Sequence, residues 1–149
     1  MAVNFGHMLQ GTMTLLGRIS LCAIFLSSAI GFNLPNFEDA ISAMAHEGVP
    51  MPRVALVLAI GSLLAGSLMV IIGWKSKVGA GLLLLFLLVE TYYFHDFWTM
   101  QESISKKLEM VQFMKNLSVM GAMLFIIANG AGPYSLDARA KGGFSASKK

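Results

Sequence analysis

The stretch VALVLAIGSLLAGSLMVII, Val54 to Ile72, decides the fold. It carries no charged side chain, and at about 1.5 Å of rise per residue it is long enough to cross a hydrocarbon core of about 30 Å as a helix. The link that follows, Gly73-Trp74-Lys75-Ser76-Lys77, has room only for a tight turn. Beyond it, Val78 to about Phe94 is a second apolar run with Glu90 as its one charged residue. Two spans joined so closely form an antiparallel hairpin. Outward from that hairpin, Met13 to Phe32 is a third apolar run, interrupted only by Arg18. A fourth covers residues 110–129, where Leu117 to Ala128 is clean but a full span takes in Lys115. No Lys or Arg precedes Met13, and the first run is longer than a signal-peptide core, so it is expected to be a retained span.

Composition agrees. Of 149 residues, 56% are hydrophobic and 13% charged, with a mean hydropathy of +0.68. A soluble domain carries about 25% charged residues because its surface faces water. The net charge of +3 comes without a basic, aromatic-interleaved patch, which excludes a nucleic-acid partner. The single cysteine, Cys22, cannot form an intrachain disulfide.

The connections follow from proline and from periodicity. Pro35, Pro50 and Pro52 bracket the segment between spans one and two. Within it Phe37, Ile41 and Met44 fall at i, i+4 and i+7, with Glu38, Asp39, Ser42 and Glu47 elsewhere, the pattern of a short amphipathic helix at the membrane interface. Asp96 to Glu109 reads as a polar loop, and residues 131–149 as a Gly/Ser/Lys tail. The expected fold is all-α: one domain, residues 1–149, forming a four-transmembrane-helix bundle with a short interfacial helix between spans one and two. Basic residues set the expected orientation. Lys75, Lys77, Arg139, Lys141, Lys148 and Lys149 lie on one side, with Arg18 nearest to it; Arg53, Lys106, Lys107 and Lys115 lie on the other. Both termini are therefore expected in the cytoplasm.

A charge within a span costs at least ~2.5 kcal/mol near the bilayer centre, so each needs compensation. Arg18 snorkels to the headgroups or takes Asp137 as its partner; the functional alternative is contact with an anion or a quinone headgroup. Glu90 and Lys115 sit at similar depth in antiparallel neighbours and are expected to form an ion pair, with a proton-handling carboxylate as the sharper alternative. On a continuing helix His95 lies roughly 140° around from Glu90, which separates the two. Its residue types allow a metal site with His46 and Glu47, but no ligand spacing supports one, and an interfacial place beside Tyr92, Tyr93, Phe94, Phe97 and Trp98 is the expectation. Gly61/Ala65, Ser62/Gly66 and Ser118/Ala122 are pairs of small residues spaced for close helix packing. The eleven methionines read as adaptable packing.

Four features resemble the DoxX family of small bacterial membrane proteins: Gly17-Arg18 early in span one, His95-Asp96-Phe97-Trp98 ending span three, Phe113-Met114-Lys115-Asn116-Leu117 opening span four, and Gly130-Ala131-Gly132-Pro133-Tyr134-Ser135-Leu136-Asp137 leaving it. The resemblance covers about Leu16 to Asp137. It implies a four-helix bundle associated with membrane redox complexes, the namesake being linked to quinol and thiosulfate oxidation. Many members carry a glutamate in the second span; here Ala59 to Gly66 contains no acid, so that role passes to Glu90 or is absent. The function expected is an accessory or anchoring subunit of a quinone-linked or sulfur-oxidising complex in a bacterial inner membrane, without independent catalysis. The alternative is an enzyme or carrier handling a quinone or small anion through Arg18, Glu90, His95 and Lys115. No intrinsic cofactor is expected, a quinone being the one the resemblance leaves open. The partners expected are the bilayer and other membrane subunits or a second copy of the chain.

Overall fold

The computed structural model describes residues 2–101 and 104–140, with side chains from Phe5 onward. Five helices account for most of them: α1 (Ala2–Leu26), continued by a wider π turn over Ser27–Asn33; α2 (Phe37–His46); α3 (Pro52–Ile72); α4 (Ser76–Phe94); and α5 (Ile104–Asn129). Four helical stretches have the length and hydropathy to cross a bilayer: Phe5–Asn33, Pro52–Ile72, Ser76–Thr99 and Ile104–Asn129. α3 alone, at 21 residues, is about 32 Å long. The protein is a multi-pass, all-α membrane protein, and no strand occurs among the described residues.

Two helices outrun the spans expected from hydropathy. α1 starts at Ala2 rather than near Met13, because residues 2–12 hold no proline or charge to stop it. α5 starts at Ile104, since Lys106, Lys107, Leu108 and Glu109 are polar or mixed but good helix formers.

α1 packs on α3, α3 on α4, and α4 on α5. Phe25, Leu56, Leu63, Val70, Leu83, Leu87 and Met123 fill the space between them. Outward-facing residues such as Val57, Leu58, Leu68, Leu85, Leu88, Leu124 and Phe125 are large and apolar, as a lipid-facing surface requires. The closest approach is between α3 and α4. A Cβ at Gly66 would lie 2.9 Å from Leu83 Cγ and 3.0 Å from the Gly79 carbonyl oxygen, and one at Gly79 would lie 2.7 Å from Met69 Cβ. Among the expected packing residues, Gly66 is buried in this contact and Ser62 is half-buried, whereas Gly61 and Ala65 point outward. The four do not share one packing face, because the 61/65 pair lies one residue, about 100° of rotation, from the 62/66 pair, and α4 covers the 66 side.

The short helix α2 lies where the periodicity puts it, and its apolar stripe is used on the bundle. Phe37, Ala40, Ile41 and Met44 are partly buried against the core. Arg53 Nη2 donates to both carboxylate oxygens of Glu38 (2.8 and 2.9 Å), tying α2 to the start of α3.

Residues 131–140 are not a tail. They fold back under the bundle, with a last helical turn over residues 136–140 started by Ser135 Oγ, which accepts from the Ala138 N–H (3.1 Å). The rest of the expected tail, residues 141–149, lies outside the described residues.

Candidate functional site

At the end of the bundle that carries α2, five polar side chains from α4 and α5 meet. α4 stops at Phe94, and His95 caps it with φ −127°, its N–H donating to the Thr91 carbonyl at 3.1 Å. The separation of His95 from Glu90 expected on a continuing helix therefore does not hold. The chain turns, and the imidazole folds back so that Nε2 lies 3.4 Å from Glu90 Oε1. Its other nitrogen, Nδ1, lies 2.7 Å from Glu109 Oε2 on α5. Nδ1 thus makes the hydrogen bond, to Glu109, and Nε2 the longer charge contact, to Glu90. A neutral imidazole has one N–H and an imidazolium two, so only the protonated ring can point an N–H at both carboxylates.

Glu90 does not find Lys115. Lys115 Nζ donates to Gln112 Oε1 at 2.9 Å on the exposed side of α5. The next residue faces inward instead: Asn116 is 3% exposed, and its amide donates one N–H to Glu90 Oε2 (2.5 Å) and the other to Thr91 Oγ1 (2.9 Å). One residue is about 100° of helix rotation, so equal depth in the bilayer did not make Lys115 the neighbour. Asn116 and Glu109 are the members of this network that spacing alone missed. Asn116 had a usable signal, as a buried-type amide at the head of the apolar run 117–128.

Glu90 and His95 form part of the wall of a cavity of about 550 Å³ between α2, α3 and α4. The rest of the wall is largely apolar, including Met44, Ala59, Leu82, Phe86 and Phe94. Leu58, Leu85 and Val89 line it and are also exposed on the lipid-facing surface, so it opens sideways toward the bilayer. A second cavity of about 220 Å³ lies on the other side of Glu90, between α1, α4 and α5.

Arg18 and Asp137 act at the opposite end. Arg18 is 3% exposed and does not snorkel to the surface. Its guanidinium donates to the carbonyls of Thr14 (3.3 Å), Val70 (3.3 Å), Ile71 (3.0 Å) and Tyr134, so it binds the otherwise unpaired C-terminal carbonyls of α3 and joins them to the segment after α5. Asp137 caps α4 from 61 residues away in sequence: its carboxylate accepts from the N–H groups of Lys75 (2.8 Å) and Ser76 (2.9 Å) and from Ser76 Oγ (2.7 Å). The two residues meet at the same turn, and these hydrogen bonds run chiefly to backbone. This end is built to hold helices together.

Among the described residues no group of three or more His, Cys, Asp or Glu side chains is placed to hold a metal ion. His46 contacts its neighbour Glu47 (3.2 Å) on exposed α2.

Residues 13–96 match the family model described as DoxX. Curated relatives include the inner membrane protein YphA of Escherichia coli, 29% identical over 129 residues, or 85% of this chain and 89% of that protein. A second Escherichia coli inner membrane protein, YqjF, is 25% identical over 87% of this chain and 92% of its own length. The Surfeit locus protein 4 homolog of Schizosaccharomyces pombe is 30% identical over 68% of this chain but only 33% of its own length. No solved structure matches.

Proposed function

The chain belongs to the DoxX family, and we propose from that premise that it works in an inner membrane as a quinone-binding subunit of a redox complex. The observation that carries this reading is the cavity of about 550 Å³ with Glu90 and His95 on an otherwise largely apolar wall. A quinone is a flat ring with two carbonyl oxygens on an apolar tail, and it partitions into the hydrocarbon phase. It would enter sideways past Leu58, Leu85 and Val89, leaving its tail among them. With Nδ1 held by Glu109, the Nε2 side of His95, which meets Glu90 only at 3.4 Å, suits the ring carbonyl of the oxidised form, and the carboxylate of Glu90 suits the hydroxyl of the reduced form. α2 closes the cavity from above, held by Arg53 and Glu38. The electrons would come from or go to a partner subunit, this chain contributing the binding site and its proton-handling groups.

The test is titration of the purified chain in lipid nanodiscs with a short-tailed ubiquinone, read by calorimetry. Saturable binding is expected. Ser62→Phe, which fills the cavity from α3, should weaken it by about tenfold or more, equivalent to ~1.4 kcal/mol. Uptake that only scales with lipid content, unchanged by Ser62→Phe, would overturn the reading.

A further inference from the structure

Glu90 stands between two cavities, and this has a consequence that quinone binding alone does not require. Glu90, Ser28 and Phe86 line both the cavity of about 550 Å³ and the one of about 220 Å³. The two carboxylate oxygens look in different directions: Oε1 toward His95, on the first cavity's wall, and Oε2 toward Asn116, on the second's. The second cavity differs in character, because Ser27, Ser28, Glu90, Lys115 and Asn116 give it a polar flank. At about 30 Å³ of liquid per water, and with several polar partners, it can hold a short chain of waters. The π turn over Ser27–Asn33 borders both cavities, with Leu34 N–H bonded to the Ala29 carbonyl (3.0 Å) in place of the usual α-helical partner. Such wide turns recur at functional sites.

We propose that Glu90 passes protons between the quinone-binding cavity and the hydrated second cavity, with Asn116 as the residue that positions its carboxylate. This rests on the reading of the first cavity as a quinone site. In the outward step the Nε2–H bond of protonated His95 breaks and an O–H bond forms on Glu90, leaving a neutral imidazole and a carboxylic acid. The carboxyl group then rotates about its Cγ–Cδ bond, so that the O–H turns toward the second cavity, gives the proton to a water there to form hydronium, and returns to carboxylate. Inward transfer is the reverse. Asn116 cannot carry the proton; its N–H holds Oε2 at the mouth of the second cavity. The titratable groups around Glu90 are His95 and, behind it, Glu109; Tyr93 on the first cavity; and Lys115 on α5. α1, α2 and α3 contribute no titratable side chain to either wall.

The experiment is infrared spectroscopy of the full chain in nanodiscs. The carboxylic-acid stretch that appears on acidification and is missing in Glu90→Gln belongs to Glu90, and its rate of deuteration in D2O is followed. Val119→Phe, which narrows the second cavity only, should slow deuteration by about tenfold or more, and Ser27→Leu is an independent variant of the same kind. Ser62→Phe, which narrows the first cavity, should leave the rate unchanged. Slowing by Ser62→Phe alone, no slowing by either second-cavity variant, or no carboxylic-acid band assignable to Glu90 at any pH would overturn the proposal. Quinone titration of the same samples separates the two ideas: a chain that binds no quinone yet shows the Val119 effect loses the quinone reading and keeps the proton path.

Discussion

Asn116 Nδ2 lies 2.5 Å from Glu90 Oε2, in a gap between α4 and α5 where Asn116 is almost wholly buried. A hydrogen bond to a charged group contributes about 1.5–3 kcal/mol, and leaving the carboxylate without its donor costs at least as much. Asn116→Leu should therefore destabilise the protein by about that amount, whereas Lys115→Met, on the exposed side, should stay within about 0.5 kcal/mol. Unfolding of the single and double variants with Glu90→Gln in mixed micelles checks this. Asn116 and Glu90 should couple by about 0.5–3 kcal/mol, and Lys115 and Glu90 should be additive. Coupling of Lys115 to Glu90 instead would restore the ion pair that matching depth suggests.

The difference between Lys115 and Asn116 shows what can be read from this sequence and what cannot. Spans follow from apolar length, so Val54 to Ile72 and Val78 to Phe94 are visible at once, and α2 follows from Phe37, Ile41 and Met44. Depth also follows from position along a span. Rotation does not, because α3 is apolar all round and the polar residues of α5 are spread around the helix, so no polar stripe marks the inward side. The same limit hides which of Gly61 and Gly66 is packed. His95 escaped for another reason: its wheel angle presumes a helix that stops one residue earlier. Residues 131–140 escaped because their roles depend on partners far away in sequence, as with Asp137 and the Lys75 N–H.

Gly66 and Gly61 make a matched pair for testing helix packing. A side chain at Gly66 meets Leu83 and the backbone of Gly79, whereas a Cβ at Gly61 has nothing within 4 Å. Gly66→Leu should cost about 1–3 kcal/mol or more by overpacking. Gly61→Leu should unfold like wild type by thermal denaturation in detergent. If Gly61→Leu instead releases a co-purifying subunit without altering the chain's own stability, the outward 61/65 face is an assembly surface.

The first half of α1 and the segment after α5 meet at one end of the bundle: a Cβ at Gly11 would lie 2.8 Å from the Tyr134 ring. The excess of Lys and Arg on that side predicts a cytoplasmic location for it. A reporter that fluoresces only in the cytoplasm, fused after Lys149, should be bright. Activity of a periplasm-only reporter at that position would invert the topology and place the Glu90–His95 end inside.

The segment after α5 should behave as a clamp. Gly73 ends α3 with φ +71°, a conformation side chains resist, and a Cβ there would lie 2.3 Å from Ser135 Cβ and 2.6 Å from an Arg18 nitrogen. Its carbonyl accepts the Asp137 N–H at 2.8 Å, while the Asp137 carboxylate caps α4, whose preceding residue Lys75 is itself held at φ +45°. One short segment thus closes the α3–α4 turn, caps α4 and takes an Arg18 donor. Asp137→Ala should cost about 1–2 kcal/mol, the usual loss of a helix cap, and Asp137→Asn less, since the amide oxygen still accepts. Gly73→Ala should cost more, through positive φ and the collision with Ser135. Because both changes loosen the same contact, the double variant should lose less than the sum of the two. Deleting everything after Gly130 separates a clamp from a tail. A clamp predicts a large loss of thermal stability, with Arg18 left one carbonyl short and α4 uncapped. A truncated chain that unfolds at the full-length temperature would show that residues 131–140 rest on the bundle without holding it.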